Sequence, residues 1–366
     1  MTRLVEEVGY PSGVDIRTEF SQILGDIEAE MSSVLNERQG HARPLYEMLA
    51  YHLGLDGKAG RGGKRLRPLL GVLAYQSLGG DYRKALPGAA AVELGHNFSL
   101  VHDDIEDADR ERHHRPTLWA VWGIPLAINA GDALFALSRL ALYRLLDSEE
   151  HDDRQVIDLM RIYDETCLAL CEGQYLDISF ERRDDVTVDA YMEMIGKKTA
   201  ALIGASVQTG AILASDDPAV AEAYKQFGQD LGMAFQIADD VKGSFWASED
   251  SGKPEAGDIR RRKKTLPIVW ALEHAADDDR RRLIEIYARG GINGADGRDK
   301  GSADEPVSDV EVAEVLAILE RSGAREHALA EARRYRDLAL EHIERLPALP
   351  DGKRELAALV RSMIAA

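Results

Sequence analysis

The sequence predicts an all-α fold, a single domain of long helices packed as a bundle. Three observations carry that prediction. Strand signals are nearly absent: no Asn-Gly or Asp-Gly hairpin lies between alternating β-branched runs, and Val/Ile/Thr alternation is rare. Helical spacing dominates, with Ala, Leu, Glu and Arg supplying high helix propensity. Two long segments, 117–146 and 196–213, are apolar around most of their circumference, as expected for helices at the centre of a bundle.

Taken in order, the periodicity predicts helices over 16–36, 42–53, 64–78, 83–106, 117–146, 153–181, 187–213, 216–246, 264–275, 278–288, 308–321, 324–345 and 351–364. The breaks are chemical: Gly60-Arg-Gly-Gly63, Gly79-Gly80, Arg115-Pro116 and Asp216-Asp217-Pro218 interrupt the pattern where backbone freedom or a missing N–H ends a helix. Residues 290–309, rich in Gly, Asp and Ser, have few groups able to bury surface and read as a mobile surface insertion. Both flanks keep the same helical texture, so the expectation is one domain over 1–366 with a loose loop.

Hydrophobic residues make up 45% of the 366, enough for a sizeable core, and charged residues make up 30%. The formal net charge of −19 argues against non-specific nucleic-acid binding and against an anionic membrane surface. The first thirty residues mix Asp and Glu through every apolar run and make no signal peptide. No uncharged apolar stretch is long enough to span a bilayer, so no stable membrane insertion is expected. The two cysteines, Cys167 and Cys171, sit at i and i+4 on a predicted helix and read as small buried residues rather than a disulfide. A reducing, cytoplasmic setting is the expectation.

Two aspartate-rich stretches close apolar helical runs: Phe98-Ser-Leu-Val-His-Asp-Asp-Ile-Glu-Asp107 and Phe235-Gln-Ile-Ala-Asp-Asp-Val-Lys-Gly243. Helical spacing puts Asp103 and Asp107 on one face with Asp104 beside them. Carboxylates gathered at the mouth of a buried element repel one another unless a cation neutralises them. Mg²⁺ suits such a set, because it accepts a few carboxylates and fills its other positions with water and phosphate oxygens. Arg112, His113, His114 and Arg115 follow directly and are donors suited to phosphate. In the second stretch Asp239 and Asp240 lack a third carboxylate, since Gly243 stands at i+4. Gln236, one turn before Asp240, is placed to orient a carboxylate, a water or a substrate dipole.

A third group is basic. Gly62-Gly-Lys-Arg-Leu-Arg-Pro68 puts Lys64 and Arg67 at i, i+3 on the opening turn of a predicted helix, a favourable place for an anion; the spacing is not that of a Walker loop. Lys197-Lys198-Thr199 lies within an apolar helical stretch, where a cation must be paired. Gly252-Lys253 and Lys263-Lys264-Thr265-Leu-Pro267 follow the second aspartate pair. Each alone would be read as solvated lysines, and their order along the chain carries more weight than any one member.

In that order the chain resembles the trans-isoprenyl diphosphate synthase (polyprenyl synthetase) family. The matching landmarks are Gly62-Gly63-Lys64-x-x-Arg67-Pro68, His96, Asp103-Asp104-x-x-Asp107, Arg112, Gly131-Asp132, Gly173-Gln174, Lys198-Thr199, Phe235-Gln236, Asp239-Asp240, Gly252-Lys253 and Lys263-x-Thr265-x-Pro267, spanning about residues 40 to 275. The resemblance implies long helices around a deep central cavity, a homodimer, three Mg²⁺ ions and head-to-tail joining of isopentenyl diphosphate to an allylic diphosphate. By that resemblance Asp103, Asp107 and Asp239 ligate Mg²⁺ with Asp104 and Asp240 in support. Arg112, Lys198 and Lys253 hold the allylic diphosphate, and Lys263 joins the substrate-binding set. Lys64, Arg67 and His96 bind isopentenyl diphosphate, and Thr199 and Gln236 aim dipoles at the developing allylic cation. Two departures stand out: His113 replaces a second arginine, which implies weaker or more pH-dependent binding of isopentenyl diphosphate, and Gly243 replaces the last aspartate of the second motif.

The chemistry follows from the substrate. Ionisation of an allylic diphosphate separates a delocalised cation from a highly charged leaving group, so Mg²⁺, Lys and Arg act where charge develops, and an apolar cavity keeps water from the cation. No His or Glu is placed as base, which leaves the released diphosphate as proton acceptor. Product length depends on the depth under the aspartates: Ser99 lies one turn below Asp103, and Phe98 five residues below, roughly 7–8 Å at the helical rise. Phe98 as a floor resembles a C20 producer, so geranylgeranyl diphosphate is expected first and farnesyl diphosphate next; Phe98 as plain core packing is the competing account. Alternatives are a class I terpene cyclase, against which Lys64, Arg67 and His96 argue, and a non-catalytic partner subunit, against which the intact Asp103, Asp104 and Asp107 argue. A metal-dependent phosphohydrolase built on His102-Asp103 lacks a completing His-rich set.

Overall fold

A computed structural model describes residues 16–37, 40–57, 63–147, 151–181, 183–246, 256–288 and 307–365. Its principal helices are α1 (Ser21–Asn36), α2 (Arg43–Leu53), α3 (Leu66–Ser77), α4 (Leu86–Glu106), α5 (Ile124–Tyr143), α6 (Asp153–Phe180), α7 (Val188–Ile195), α8 (Ala201–Ala214), α9 (Pro218–Phe245), α10 (Leu266–His274), α11 (Asp277–Tyr287), α12 (Asp309–Arg321), α13 (Ala324–Arg345) and α14 (Pro350–Ala365). The fold is all-α, as the spacing predicts.

The differences have local causes. The predicted 16–36 helix is two pieces joined at Phe20, whose φ of −107° and ψ of 22° leave the helical basin. The 117–146 helix is interrupted by Gly123 at φ 83°, a left-handed position that glycine adopts without strain. A π-turn over Gly196–Ala200 separates α7 from α8 and coincides with Lys197-Lys198-Thr199; such turns cluster at functional sites. The third helix opens at Leu66, so Lys64 precedes it instead of lying on its first turn. The other unforeseen element is a hairpin, β1 (Glu111–Arg112) with β2 (Arg115–Pro116). Its turn residues His113 and His114 have φ of 49° and 58°. Two positive φ values fit a two-residue hairpin turn, but they are usually supplied by Asn-Gly, so no sequence signal announced it.

The described residues divide into two compact units, each formed by more than one stretch of chain: 1–168 with 201–231 and 338–366, and 169–200 with 232–337. In the first unit a core of Leu49, Leu94, Val101, Leu134, Leu137 and Leu159 joins α2, α4, α5 and α6. There α3 and α8 meet without side chains between them: a Cβ on Gly210 would lie 2.0 Å from the Gly71 carbonyl, and one on Gly71 would lie 2.8 Å from that of Ser206. In the second unit Ile259, Ile268, Leu283, Val315 and Leu319 form the core. Most of the expected 290–309 insertion lies outside the described residues. Its last three are placed: Val307 is buried, and Ser308 caps α12 in a capping box with Glu311.

Among the described residues one helical stretch, Ile124–Asp147, is long and apolar enough by length and composition to cross a membrane. Much of its apolar surface is uncovered within the single chain: Ile124, Leu126, Ile128 and Tyr143 are each 45–49% exposed. Cys167 is buried and Cys171 exposed, and neither is in a disulfide; only the first fits the expectation of two buried residues.

Candidate active site

In the first unit the acidic motif forms the C-terminal end of α4. Asp103 and Glu106 lie in its last turn and Asp107 is its C-cap, where the helix dipole disfavours negative charge. Asp103 is half-buried and Asp107 exposed. Asp104 is different: it is 2% exposed and accepts a 2.7 Å bond from Arg112 Nε. Burial pushes its carboxyl up to about 6, with Arg112 opposing the shift. The three carboxylates therefore split into two toward solvent and one turned inward, and Arg112 has a protein partner as well as the place the resemblance gives it.

A cation cluster belongs to the same unit. Arg67 Nη1 lies 3.2 Å from His96 Nε2, and the buried Arg67 Nε has no hydrogen-bond partner among the described residues. Lys64 is exposed. His52 was not singled out from the sequence, yet it is half-buried, its enclosed Nε2 is likewise unpartnered among the described residues, and burial followed by Arg112, Arg65 and His113 lowers it to about 3. His96 is held well below its ordinary value by burial and then by Arg67 and Arg112. His113, exposed on the hairpin turn, is lowered by partial desolvation, then by Arg112 and Arg65. A cluster of guanidinium and imidazole groups is suited to a multiply charged anion.

A stability prediction follows. When a histidine is depressed in the fold, the unfolded chain binds its proton first, so stability is lost as pH falls below the unfolded value near 6.5. Between pH 7 and 5.5, His52 and His96 should each remove about 1 kcal/mol of stability. Calorimetric melting would show a falling Tm over that range, with a shallower slope in His52→Gln; a flat profile would contradict it.

Under the aspartates, Phe98 is buried and packs edge-on against Phe135 at 5.2 Å and against His102 at 6.0 Å. Gly131, one of the landmarks, makes room for the His102 ring, which would lie 2.3 Å from a Cβ there. Ser99 Oγ donates to the His96 carbonyl at 2.8 Å.

The second unit holds the other residues. Asp239 is exposed near the end of α9, whereas Asp240 is 1% exposed. Asp240 accepts from the Tyr191 hydroxyl, from Gln236 Nε2 at 3.0 Å and from the Leu266 backbone N–H at 3.0 Å. Burial raises it to about 7 against Lys263, Tyr191 and Leu266. Gln236 also accepts from the Thr199 hydroxyl at 2.8 Å, so Thr199, Gln236 and Asp240 form a relay, each fixing the next. Lys198 donates to Asp177 at 2.5 Å, and Lys197 bridges Glu172 and Glu193 at 2.9 and 3.0 Å: the two cations placed in an apolar stretch are paired. Gly173 permits this, since a Cβ there would meet the Lys198 backbone N at 2.4 Å. Asp177, Tyr191, Lys198, Thr199, Gln236 and Lys263 line one small cavity. Asp177 and Tyr191 were missed because single polar residues on long helices carry no spacing signal. Lys253 and Gly252 lie outside the described residues.

The donor set is oxygen only. Among the described residues no three His, Cys, Asp or Glu side chains converge into a closed cage. Carboxylate oxygens are donors of the kind that Mg²⁺ accepts, one or two at a time, with water and phosphate completing its shell.

The polyprenyl synthetase family model matches residues 45–297. The chain belongs to the polyprenyl synthetase family. A (2E,6E)-farnesyl diphosphate synthase of Mycobacterium tuberculosis is 39% identical over 85% of this chain and 82% of its own length. A geranylgeranyl diphosphate synthase of Saccharolobus solfataricus is 36% identical over 92% of this chain and 93% of its own. Among solved structures, geranylgeranyl pyrophosphate synthetase from Pyrococcus horikoshii superposes with a TM-score of 0.82 at 31% identity, covering 96% of this chain and 98% of that one. As a polyprenyl synthetase the chain is a prenyltransferase with the isoprenoid synthase fold, in a family generally dependent on metal and acting on isoprenoid diphosphates.

Proposed function

We propose that this polyprenyl synthetase condenses isopentenyl diphosphate head-to-tail with an allylic diphosphate, with geranylgeranyl diphosphate as favoured product and farnesyl diphosphate next. We further propose that residues 1–366 act as one catalytic domain, in the cytoplasm, as a homodimer. The observation that carries the reading is the acidic end of α4: Asp103, Glu106 and Asp107 crowd a helix terminus whose dipole opposes them, a place where a bound cation would offset the charge.

Asp103, Asp107 and Asp239 would hold Mg²⁺, three ions per site. Bound there, Mg²⁺ would neutralise the diphosphate leaving group as its charge develops. Arg112, Lys198, Lys253 and Lys263 would add positive charge to the oxygens of the allylic substrate. Lys64, Arg67, His96 and His113 would bind isopentenyl diphosphate, with His113 making that binding pH-dependent. Thr199 and Gln236, already ordered by their mutual bond, would present fixed dipoles to the allylic cation, and Asp104 and Asp240 would hold Arg112 and Gln236 in place. The released diphosphate would take the proton.

The test is to incubate the purified chain with Mg²⁺, isopentenyl diphosphate and each allylic starter in turn, and to measure the product by chromatography. A C20 product that needs isopentenyl diphosphate supports the reading; a cyclised product without it, or no turnover by the chain alone, refutes it. Phe98→Ala, by removing the ring that packs on Phe135, is expected to lengthen the product by at least one isoprene unit; unchanged length would assign Phe98 to core packing alone. The uncovered Ile124, Leu126, Ile128 and Tyr143 support a second copy as their cover, and a single 40.4 kDa species in sedimentation would refute the homodimer.

A further inference from the structure

The hairpin β1–β2 cannot hold itself. Its strands are two residues long, and an isolated two-stranded hairpin is marginally stable at best in water. Its turn is costly as well. His113 and His114 both stand in the left-handed region, where a residue with a Cβ persists only when its surroundings impose the conformation. The shape of the turn is therefore set from outside. Arg112 and Arg115 are cross-strand partners on the two sides of that turn, and Arg112 is tied to Asp104 at the end of α4.

Arg115 is tied to the end of α2. The sequence offers it as a phosphate donor, but it is buried and turned toward the protein. Its Nη1 donates to the Tyr51 carbonyl at 2.9 Å and its Nη2 to Asp56 Oδ2 at 2.6 Å. The guanidinium lies over the Tyr51 ring, 3.8 Å from the centroid, and the Tyr51 hydroxyl donates back to the Pro116 carbonyl at 3.0 Å. Tyr51 belongs to the last turn of α2, where carbonyls lack full intrahelical partners and a cation is favoured. Two residues on, the Leu53 carbonyl accepts from Arg65, which stands between Lys64 and Arg67. One helix end thus anchors both the Lys64–Arg67 segment and the hairpin. Across the gap between them, His113 Nε2 lies 3.8 Å from the place a Cβ on Gly63 would take.

We infer that Arg115 is a positioning residue: from the end of α2 it holds the His113-His114 turn in shape, and so sets the gap between His113 and the Lys64–Arg67 segment across which isopentenyl diphosphate is bound. The inference deepens the proposed function and rests on its reading that Lys64, Arg67 and His113 bind that substrate. Arg112 keeps an anchor of its own in Asp104, so the effect of Arg115 falls on one diphosphate and spares the other. Lysine is no substitute at this position, because an ammonium cannot span carbonyl and carboxylate as a fork and stack on the ring as well.

The test compares the natural chain with Arg115→Gln, Arg115→Lys and the double variant Arg115→Gln/His114→Gly. Affinity for isopentenyl diphosphate is measured by calorimetry, KM for both substrates by steady-state kinetics, and melting temperature on the same samples. Arg115→Gln is expected to weaken isopentenyl diphosphate binding about tenfold and to raise its KM to match, the loss when one charge-assisted contact to an anion goes out of reach. KM for the allylic substrate should stay unchanged. Arg115→Lys, which keeps the charge without the fork, should fall between the natural chain and Arg115→Gln. His114 is exposed, and glycine takes its φ of 58° without strain. The turn of the double variant therefore needs less from the clamp and should recover most of the affinity. A purely structural role would lower the melting temperature and leave the ratio of the two KM values as it was. Natural affinity in Arg115→Gln, equal rises in both KM values, or a double variant no better than the single overturns the inference while the proposed function stands. Should Arg115→Gln not fold, Arg115→Lys decides, and natural affinity there overturns the inference. No binding of isopentenyl diphosphate by the natural chain would overturn both.

Discussion

Asp103→Asn and Asp239→Asn are each expected to lower kcat about a thousandfold without lowering the melting temperature. The magnitude comes from what a metal clamp does for a leaving group. Stabilising charge that appears only in the transition state contributes several kcal/mol, and about 4 kcal/mol corresponds to a factor of a thousand in rate. The stability half comes from the fold. Asp103 lies in the last turn of α4, where a negative charge is disfavoured by about 0.3–1 kcal/mol, so removing it should leave Tm unchanged or slightly higher. Asp104→Asn should behave in the opposite sense. Its carboxylate is buried against Arg112 at 2.7 Å, so the change should lower Tm and affect activity through the placement of Arg112. Steady-state kinetics and calorimetry on the three variants would separate these behaviours. Loss of less than tenfold in Asp103→Asn, at saturating Mg²⁺, would remove the acidic end of α4 from the chemistry.

That contrast also marks how far the sequence could be read. The i, i+4 spacing of Asp103 and Asp107 is visible in the letters, because helical periodicity is a property of one segment. That Asp104 turns inward to Arg112 is not, since the bond crosses from a helix to a hairpin whose turn, His113-His114, lacks the usual Asn-Gly signature. Lys198 could be recognised as a cation needing a partner, but Asp177 could not be named as that partner, as it comes from another helix. The helices themselves were legible almost to the residue where proline opens them, as at Pro218 and Pro350. They were misread where one residue or one turn leaves the helical path inside an unbroken pattern: at Phe20, at Gly123 and at the π-turn over Gly196–Ala200. Gly243 is another case: from the sequence it is a missing aspartate, and only the structure shows the Asp258 carboxylate lying beside its bare Cα.

Arg65→Met is expected to be among the most destabilising single changes in the chain, at about 3–5 kcal/mol, the range for breaking one side of a buried ion pair. Three cations stand in Lys64-Arg65-Leu66-Arg67, and only the outer two were read as anion donors. Arg65 is the structural one. Its side chain is 3% exposed and lies 2.8 Å from Glu93 Oε1, itself 5% exposed, and it also donates to the Leu53 carbonyl and to Glu28 at 3.4 Å. Its backbone is held at φ 52°, ψ 32° as the N-cap of α3, a left-handed position that costs a non-glycine residue roughly 1–3 kcal/mol and persists only when the surroundings impose it. The imposing contact is the ion pair, which ties the start of α3 to the middle of α4. Removal of the guanidinium leaves the buried Glu93 with the Asn97 Nδ2 bond at 3.2 Å and the field of Arg67, but without its 2.8 Å ion pair. Arg65→Met/Glu93→Leu should therefore recover most of the loss, because replacing both members with apolar side chains leaves neither charge of the pair buried alone. Denaturant unfolding of the two single variants and the double closes that cycle; a double variant as unstable as Arg65→Met would mean that the Leu53 bond and the cap geometry, and not the charge of Glu93, hold the segment. The consequence for function is direct. Lys64 and Arg67 flank this anchor, so a chain that loses it should bind isopentenyl diphosphate more weakly even at temperatures where it stays folded.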